Sequence, residues 1–231
     1  MDPEILLAVP VTVAFAALAY RLGMVSLRGA LGGVLVGAPV YACLGPRGFA
    51  LLFLFVAGGS ALTRIGYERK RRSGAAQEHG GRRGARNALA NAGVAVLCAL
   101  LYALGVSDAF AAAYVAAVGA AFADTAESEV GQLSRRWPRL VTSLRKVPPG
   151  TDGAVSPVGT LAGISAAALT AGLGWALGLV ENPTDAVLVA LAAFFGTVAD
   201  SFIGAWVPRF GNEATNVLCT LVAAGLALFL A

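Results

Sequence analysis

The sequence predicts an all-α, polytopic transmembrane helix bundle of about eight helices, organised as a single integral-membrane domain over residues 1–231. The chain is 58% hydrophobic and only 13% charged, with a mean hydropathy of +0.75. Apolar runs long enough to cross a bilayer recur along its whole length. Basic residues lie in the short connections between these runs. The predicted helices cover about 4–21, 28–45, 47–66, 86–105, 108–131, 154–180, 184–207 and 212–231.

The charges of the connections predict how the helices are oriented. If the N-terminus is outside, every one of the 17 Lys and Arg residues except Arg47 falls on the cytoplasmic side. The outer ends carry acidic residues instead, among them Asp108, Glu181 and Asp185. The positive-inside rule therefore predicts that both termini lie outside.

Composition also argues against other classes of protein. The net charge of +4 does not indicate nucleic-acid binding, because the basic residues are divided among the loops. Cys43, Cys98 and Cys219 lie inside apolar runs without disulfide or metal-site spacing, so we expect small buried side chains. The N-terminus is acidic, unlike that of a secretory signal peptide, which predicts that the first helix is retained.

The second and third predicted helices carry signals for packing and for a loop. Gly29, Gly33 and Gly37 form a face of small residues, which predicts close packing within the chain or a homodimer through that face. The basic, glycine-rich residues 67–85 are predicted to form a flexible cytoplasmic loop. A lid that supplies cations to phosphates is the alternative.

Two polar patterns each occur twice, which indicates a weak internal repeat. The first is a pair of amides one turn apart at the start of a helix, and the second is an acidic residue followed by a hydroxyl near the end of one. They are Asn87 with Asn91 and Asn212 with Asn216, then Asp124 with Thr125 and Asp200 with Ser201.

The depth of these residues predicts that they meet. Asp124 lies 16 residues past Asp108, and Asp200 lies 16 past Thr184, which is about 24 Å along each helix. In a hydrocarbon core of about 30 Å, both carboxylates come near the cytoplasmic surface, where the amide pairs begin their helices. Carboxylates inside apolar helices predict a functional site.

The fifth helix predicts a magnesium site. Asp124, Ser128, Thr125 and Glu129 fall on one arc of the helix, at about 0°, 40°, 100° and 140°, and Glu127 falls outside it at about −60°. Oxygen ligands of this kind suit Mg²⁺, which completes its shell with phosphate and water. Asp200 is predicted as a further ligand. The alternative is that these acids only pair with loop arginines.

Residues 148–153, Pro-Pro-Gly-Thr-Asp-Gly, predict a stiff turn that could bind an anion. The glycines permit unusual backbone angles, and amides at the start of a helix attract phosphate. Thr151 and Asp152 are expected to cap the following helix. Lys146 lies just before the turn. The Walker A pattern is absent.

Three runs in this region carry a family resemblance. They are Ala-Asp-Thr-x-x-Ser-Glu-x-Gly at 123–131, Pro-Arg-Leu-Val-Thr at 138–142 and Lys-Val-Pro-Pro-Gly-Thr-Asp-Gly-Ala-Val-Ser at 146–156. With Gly159–Gly163, Ala199–Ser201 and Asn212–Asn216, they resemble the domain of unknown function 92 family, which includes a chloroplast phytyl-phosphate kinase and the animal transmembrane protein 19. The resemblance is clearest from about Arg83 onward.

The resemblance implies an integral-membrane kinase that converts an isoprenyl monophosphate, such as phytyl or geranylgeranyl phosphate, to the diphosphate. A nucleoside triphosphate would be the donor, with CTP favoured by a distant likeness to dolichol kinase and CDP-lipid synthases. Asp124, Glu129 and Asp200 are the expected catalytic and Mg²⁺-binding residues. The expected substrate and nucleotide contacts are Asn87, Asn91, Thr125, Ser128, Lys146, Gly150, Thr151, Asp152, Gly153, Ser156, Ser201, Asn212 and Asn216.

Two other functions are compatible with the same residues. A CTP-dependent lipid cytidylyltransferase would use similar metal and triphosphate contacts but would release diphosphate. A secondary transporter would also be polytopic and would carry acids inside helices, but its site normally lies near the bilayer midplane.

Overall fold

The computed structural model describes residues 3–77, 79–207 and 210–230. Its helices are α1 (Pro3–Arg21), α2 (Leu27–Arg64), α3 (Tyr67–Arg72), α4 (Ala85–Ala103), α5 (Ala109–Gly131), α6 (Pro157–Ala176), α7 (Pro183–Trp206) and α8 (Asn212–Leu230). Two short strands, β1 (Arg139–Leu140) and β2 (Ala154–Val155), pair antiparallel. Within the described residues, seven helices, all but α3, are long and apolar enough to cross a membrane. The chain is therefore an all-α polytopic transmembrane bundle, as predicted.

Helix α5 is the centre of the bundle and packs against α2, α4, α6, α7 and α8. Every residue from Ala113 to Ala123 is buried. Small side chains allow the neighbouring helices to come close, as where Gly119 faces Ala193 and Thr170. A helix that is apolar on all sides suits such a buried position. Because α5 also carries the 123–131 motif, its last turns bring that motif into the middle of the fold.

Helix α2 folds into a hairpin. Gly45 has φ 62° and ψ −158°, which interrupts the helix. The rings of Tyr41 and Phe49 are 5.7 Å apart, whereas the rise of a straight helix would separate these residues by about 12 Å. Arg64, at the end of α2, donates to the carbonyl of Leu22, just before its start. The two helices predicted at 28–45 and 47–66 are thus two antiparallel arms of one element.

The predicted flexible loop at 67–85 is wrong in part, because it contains ordered elements. Helix α3 and a 3₁₀ turn at His79–Gly81 lie within it. The side chain of Lys70, on α3, is completely buried. A charged segment becomes ordered when one of its charges finds a buried partner, and Lys70 finds Glu129.

The sixth predicted helix, 154–180, is shorter in the structure, and the predicted cap is wrong. Ser156, not Thr151 or Asp152, caps α6: its hydroxyl accepts a hydrogen bond from the Gly159 amide at 3.2 Å. Ala154 and Val155 pair with β1 instead of joining the helix. Pro157 begins the helix. Proline is tolerated there because an amide at the first helical position has no hydrogen-bond partner within the helix.

The glycine face of α2 serves contacts inside the chain. A Cβ at Gly29 would overlap the carbonyl oxygen of Arg83, and one at Gly37 would lie 2.6 Å from the Thr12 methyl group. A Cβ at Gly33 would meet no atom within 4 Å. Two of the three glycines therefore allow close packing of the chain on itself, and the homodimer remains a prediction.

Candidate functional site

A cavity of about 650 Å³ opens at the end of the bundle where α5 and α7 finish and where α4 and α8 begin. The segment after α3 and the turn before α6 complete its wall. Every residue that the sequence analysis assigned to the site lines this cavity, with the exception of Lys146. Polar residues that are far apart in the sequence therefore share one space, at one end of the spanning helices.

Three carboxylates from two helices face one another across this cavity. Asp124 and Glu127 come from α5 and Asp200 from α7, and both Glu127 and Asp200 repel the charge of Asp124. The Oδ1 atom of Asp200 is buried and has no hydrogen-bond partner among the residues that the structure describes. Such an atom is costly unless a ligand satisfies it. The acidic cluster therefore contains a buried acceptor that a cation or a hydrogen-bond donor could satisfy.

Glu127 belongs to this cluster, although its position on the helical wheel placed it outside the arc. It lines the cavity, and the Thr160 hydroxyl donates to its Oε1 at 3.0 Å. The wheel assumed that α5 has a single functional face. Because α5 is surrounded by other helices, its end contributes residues from more than one face.

The donor set fits a magnesium ion that is shared with a substrate. Among the described residues, no group of three or more His, Cys, Asp or Glu residues is arranged to hold a metal by itself. Mg²⁺ usually takes one or two carboxylates and completes its shell with water and phosphate oxygens. Asp124 and the unsatisfied oxygen of Asp200 supply such a partial set. Magnesium binding remains a proposal.

Glu129 is engaged in a different interaction from the one predicted. Its Oε2 lies 2.6 Å from the Lys70 ammonium, and its Oε1 accepts the Thr63 hydroxyl at 2.6 Å. Lys70 also donates to the carbonyls of Leu62 at 3.0 Å and Thr63 at 2.9 Å. All three ammonium donors are thus satisfied. Both oxygens of Glu129 accept hydrogen bonds from protein groups, and its role as a metal ligand remains a prediction.

Three arginines, Arg82, Arg83 and Arg86, line the cavity where Lys146 was predicted, and of these Arg83 is not exposed. Lys146 is exposed and lies opposite Arg139 beside the strand pair, away from the cavity lining. Arg83 lines the cavity, and burial lowers the pKa of its guanidinium from the ordinary value while Glu129 and Asp124 oppose that change. Sequence reasoning allowed for a cationic lid in this segment but could not select one among its many basic residues, since the choice depends on burial.

The 148–153 turn has the backbone that its glycines predict. Gly150 and Gly153 have φ angles of +84° and +71°, which residues with a side chain rarely adopt. A Cβ at Gly153 would lie 2.5 Å from that of Ala205 and 2.6 Å from the Ser201 carbonyl, so the turn rests directly on α7. The Thr151 amide and hydroxyl both donate to Pro148, at 3.3 and 2.8 Å. Any anion cradle in the turn would therefore use its other amides.

The chain matches the model of the family described as Integral membrane protein DUF92 over residues 10–224. It is 38% identical over 201 residues to the uncharacterized membrane protein sll0875 of Synechocystis, covering 84% of this chain and 77% of that protein. It is 34% identical over 199 residues to the uncharacterized membrane protein MJ0933 of Methanocaldococcus jannaschii, covering 84% and 81%.

A plant protein is also similar. The chain is 33% identical over 185 residues to the chloroplastic protein VTE6 of Arabidopsis thaliana, covering 78% of this chain and 55% of the plant protein. The match therefore spans about half the length of that relative. No solved structure matches the chain.

Proposed function

The chain belongs to the integral membrane family DUF92, and from that premise we propose that it is a membrane-embedded kinase for isoprenyl monophosphates. It would transfer a phosphoryl group from a nucleoside triphosphate to phytyl or geranylgeranyl phosphate and form the diphosphate. The motifs shared with the family of the chloroplast phytyl-phosphate kinase support this, as does the similarity to the Arabidopsis protein VTE6. The observation that carries the proposal is that an acidic cluster, a half-buried arginine and a glycine turn line one cavity at the end of apolar helices.

The location of the cavity suits a substrate with a charged head and a long apolar tail. The phosphate would enter the polar cavity, and the isoprenyl chain would stay among the exposed apolar side chains of the spanning helices. We propose that the cavity faces the cytoplasm, where nucleoside triphosphates are available and where the basic loops are expected. A transporter site would be expected nearer the middle of the helices.

The transfer needs charge stabilisation and positioning more than a covalent nucleophile. An oxygen of the prenyl phosphate would form a bond to the γ-phosphorus. The bond from that phosphorus to the bridging oxygen would break, and its electron pair would leave with the nucleoside diphosphate. The acceptor is already an anion, so no strong base is required. Asp124 and Asp200 would hold Mg²⁺, which would neutralise charge on the phosphates, with Glu127 beside them.

The other cavity residues would orient the two substrates. The amides of Asn87, Asn91, Asn212 and Asn216 and the hydroxyls of Thr125, Ser128, Ser156 and Ser201 supply hydrogen bonds of both kinds. The positive φ angles at Gly150 and Gly153 let the backbone approach a phosphate closely. CTP is our proposed donor, on the family-level likeness given above.

Purified protein in detergent tests the proposal. With Mg²⁺, phytyl or geranylgeranyl phosphate and each of the four nucleoside triphosphates, we expect prenyl diphosphate and one nucleoside diphosphate per product. Asp124→Asn and Asp200→Asn should lower turnover by about two orders of magnitude or more. Asp108→Asn is the matched control, because Asp108 is exposed at the other end of α5.

Two results would contradict the kinase. One is the absence of product with every pair of substrates, and the other is equal damage from Asp108→Asn and Asp124→Asn. Release of inorganic diphosphate with formation of a nucleotide-linked lipid would instead identify a cytidylyltransferase. Product formation in detergent would exclude a protein that is only a transporter, since detergent leaves no sealed compartment across which a solute could move.

A further inference from the structure

Arg83 lines the cavity, and its guanidinium is only partly engaged by neighbouring groups. Its Nη1 lies 3.3 Å from the Thr125 hydroxyl and 3.5 Å from the Asn87 amide oxygen. Its Nε is buried and has no hydrogen-bond partner within residues 3–77, 79–207 and 210–230. The centre of the group lies 6.0 Å from the centroid of the Phe55 ring. Nε belongs to the lateral fork of an arginine, the pair of parallel donors that matches two oxygens of a phosphate.

The chain holds the backbone of Arg83 with a segment that is distant in the sequence. The Ser26 amide donates to the Arg83 carbonyl at 3.0 Å, and the Arg83 amide donates to Met24 at 3.4 Å. Gly29 leaves room for that carbonyl on α2. The start of α2 therefore fixes the position of the Arg83 backbone beside the cavity. Gly29 contributes to this contact, although the sequence predicted only helix packing for it.

We propose that Arg83 is the anion-binding residue of the cavity, that its Nε edge takes an oxygen of a phosphate group, and that the Met24–Gly29 segment positions it. This inference rests on the proposed function for the identity of the phosphate, which is either the nucleotide's or the prenyl phosphate's. Without a cation, the carboxylates of Asp124, Glu127 and Asp200 would repel any phosphate that entered. Arg83 supplies a positive charge that is always present.

Binding of inorganic pyrophosphate measures this role without turnover. Titration calorimetry in detergent, at fixed Mg²⁺, should show that Arg83→Gln raises the dissociation constant for pyrophosphate at least tenfold. A loss of this size is expected when a charged hydrogen bond is removed. Arg71→Gln should bind like the unchanged protein, because Arg71 is exposed on α3, where it pairs with Glu68. An unchanged affinity in a folded Arg83→Gln protein would overturn the proposal.

Arg83→Lys keeps the test decisive if the glutamine variant does not fold. Lysine retains the charge and the apolar stem but has no fork. We expect a clear loss of pyrophosphate affinity, smaller than for glutamine, and wild-type affinity would overturn the role of the Nε edge. Michaelis constants then identify the phosphate. A rise for the nucleoside triphosphate alone assigns Arg83 to the donor, and a rise for geranylgeranyl phosphate alone assigns it to the acceptor.

Two alanine substitutions on the same helix test the positioning. Gly29→Ala forces a methyl group against the Arg83 carbonyl, whereas Gly33→Ala points into open space. Gly29→Ala should weaken pyrophosphate binding severalfold, and Gly33→Ala should leave it unchanged. Equal affinities would overturn the positioning role. The two proposals can fail separately. If substitutions at Arg83 and Gly29 weaken pyrophosphate binding but the unchanged protein makes no prenyl diphosphate, the role of Arg83 in anion binding stands and the kinase proposal is wrong.

Discussion

Lys70 and Glu129 form an ion pair inside the protein, with side-chain exposures of 0% and 3%. The pair joins the short helix α3 to the end of α5, beside the cavity. Removing two charges from water is costly, and the cost is recovered only when every donor and acceptor is satisfied. Here the Lys70 ammonium has three acceptors and Glu129 has a second donor in Thr63. The pair therefore holds the cavity wall together.

The surface pair on the same helix provides a control for a test of this pair. Glu129→Gln should lower the free energy of unfolding by about 3–5 kcal/mol, because it leaves the Lys70 charge buried without a counter-ion. Glu68→Gln removes the exposed partner of Arg71 and should change the free energy of unfolding by less than about 1 kcal/mol. Thermal unfolding in detergent measures both.

The double variant distinguishes an ion pair from a metal ligand. Lys70→Met combined with Glu129→Gln should recover part of the stability that Glu129→Gln loses. If Glu129 were instead a magnesium ligand, Lys70→Met would not compensate, and the loss from Glu129→Gln would appear only with Mg²⁺ present.

At the level of elements, the 148–153 turn and the strand pair act as one unit that rests on α7. The Val141 amide donates to the Gly153 carbonyl at 3.0 Å, so the chain after β1 ties the turn in place. Gly153 in turn contacts α7 between Ser201 and Ala205, one residue beyond Asp200. The turn and the acidic cluster are thus held at a set distance by backbone packing.

Gly153→Ala should therefore disconnect the turn from the acidic cluster. The new methyl group would clash with Ala205 and would sit on a residue with φ +71°, which costs about 1–3 kcal/mol in backbone strain alone. We expect turnover to fall at least tenfold. Gly172→Ala, in α6, meets no atom within 4 Å and should have no effect. Kinase assays on both variants, in the detergent system, make the comparison; wild-type turnover in Gly153→Ala would contradict it.

At the scale of the whole molecule, the bundle has two chemically different ends. The cavity end carries the acidic cluster and arginines 82, 83 and 86. The other end has a small cavity of about 140 Å³ lined by Asp108, Glu181 and Asp185 with apolar residues. Asn182 caps α7 at this second end, and α7 finishes at the first. The distribution of charge between the ends is the one expected when the cavity faces the cytoplasm.

Reporter fusions test that orientation. A fusion after Gly74, which lines the cavity, should report the cytoplasm, and one after Asn182 should report the exterior. The physical reason is that positively charged loops are retained on the cytoplasmic side during insertion. Activity of both reporters on the same side would contradict the proposed topology.

Much of the site could be predicted because the constant rise of a helix gives the depth of each residue in the membrane from its position in the sequence. Asp124 and Asp200 stand at matching distances from the starts of their helices, and the structure brings them to one cavity. The glycine turn was predictable because few residues other than glycine tolerate a positive φ. The place of Glu127 at the cavity was missed because a helical wheel describes one helix and contains no information about its neighbours.

The sequence by itself determined the fold class, the approximate helices and many of the polar residues that line the cavity. These depend on hydropathy, charge and spacing, which are local properties of the chain. Only the tertiary structure decided which charges act together. Lys70 pairs with Glu129 across 59 positions, and Arg83 enters the cavity where Lys146 was expected. The reason is that the fate of an ionisable group depends on its burial and partners, and in this bundle those come from distant parts of the chain.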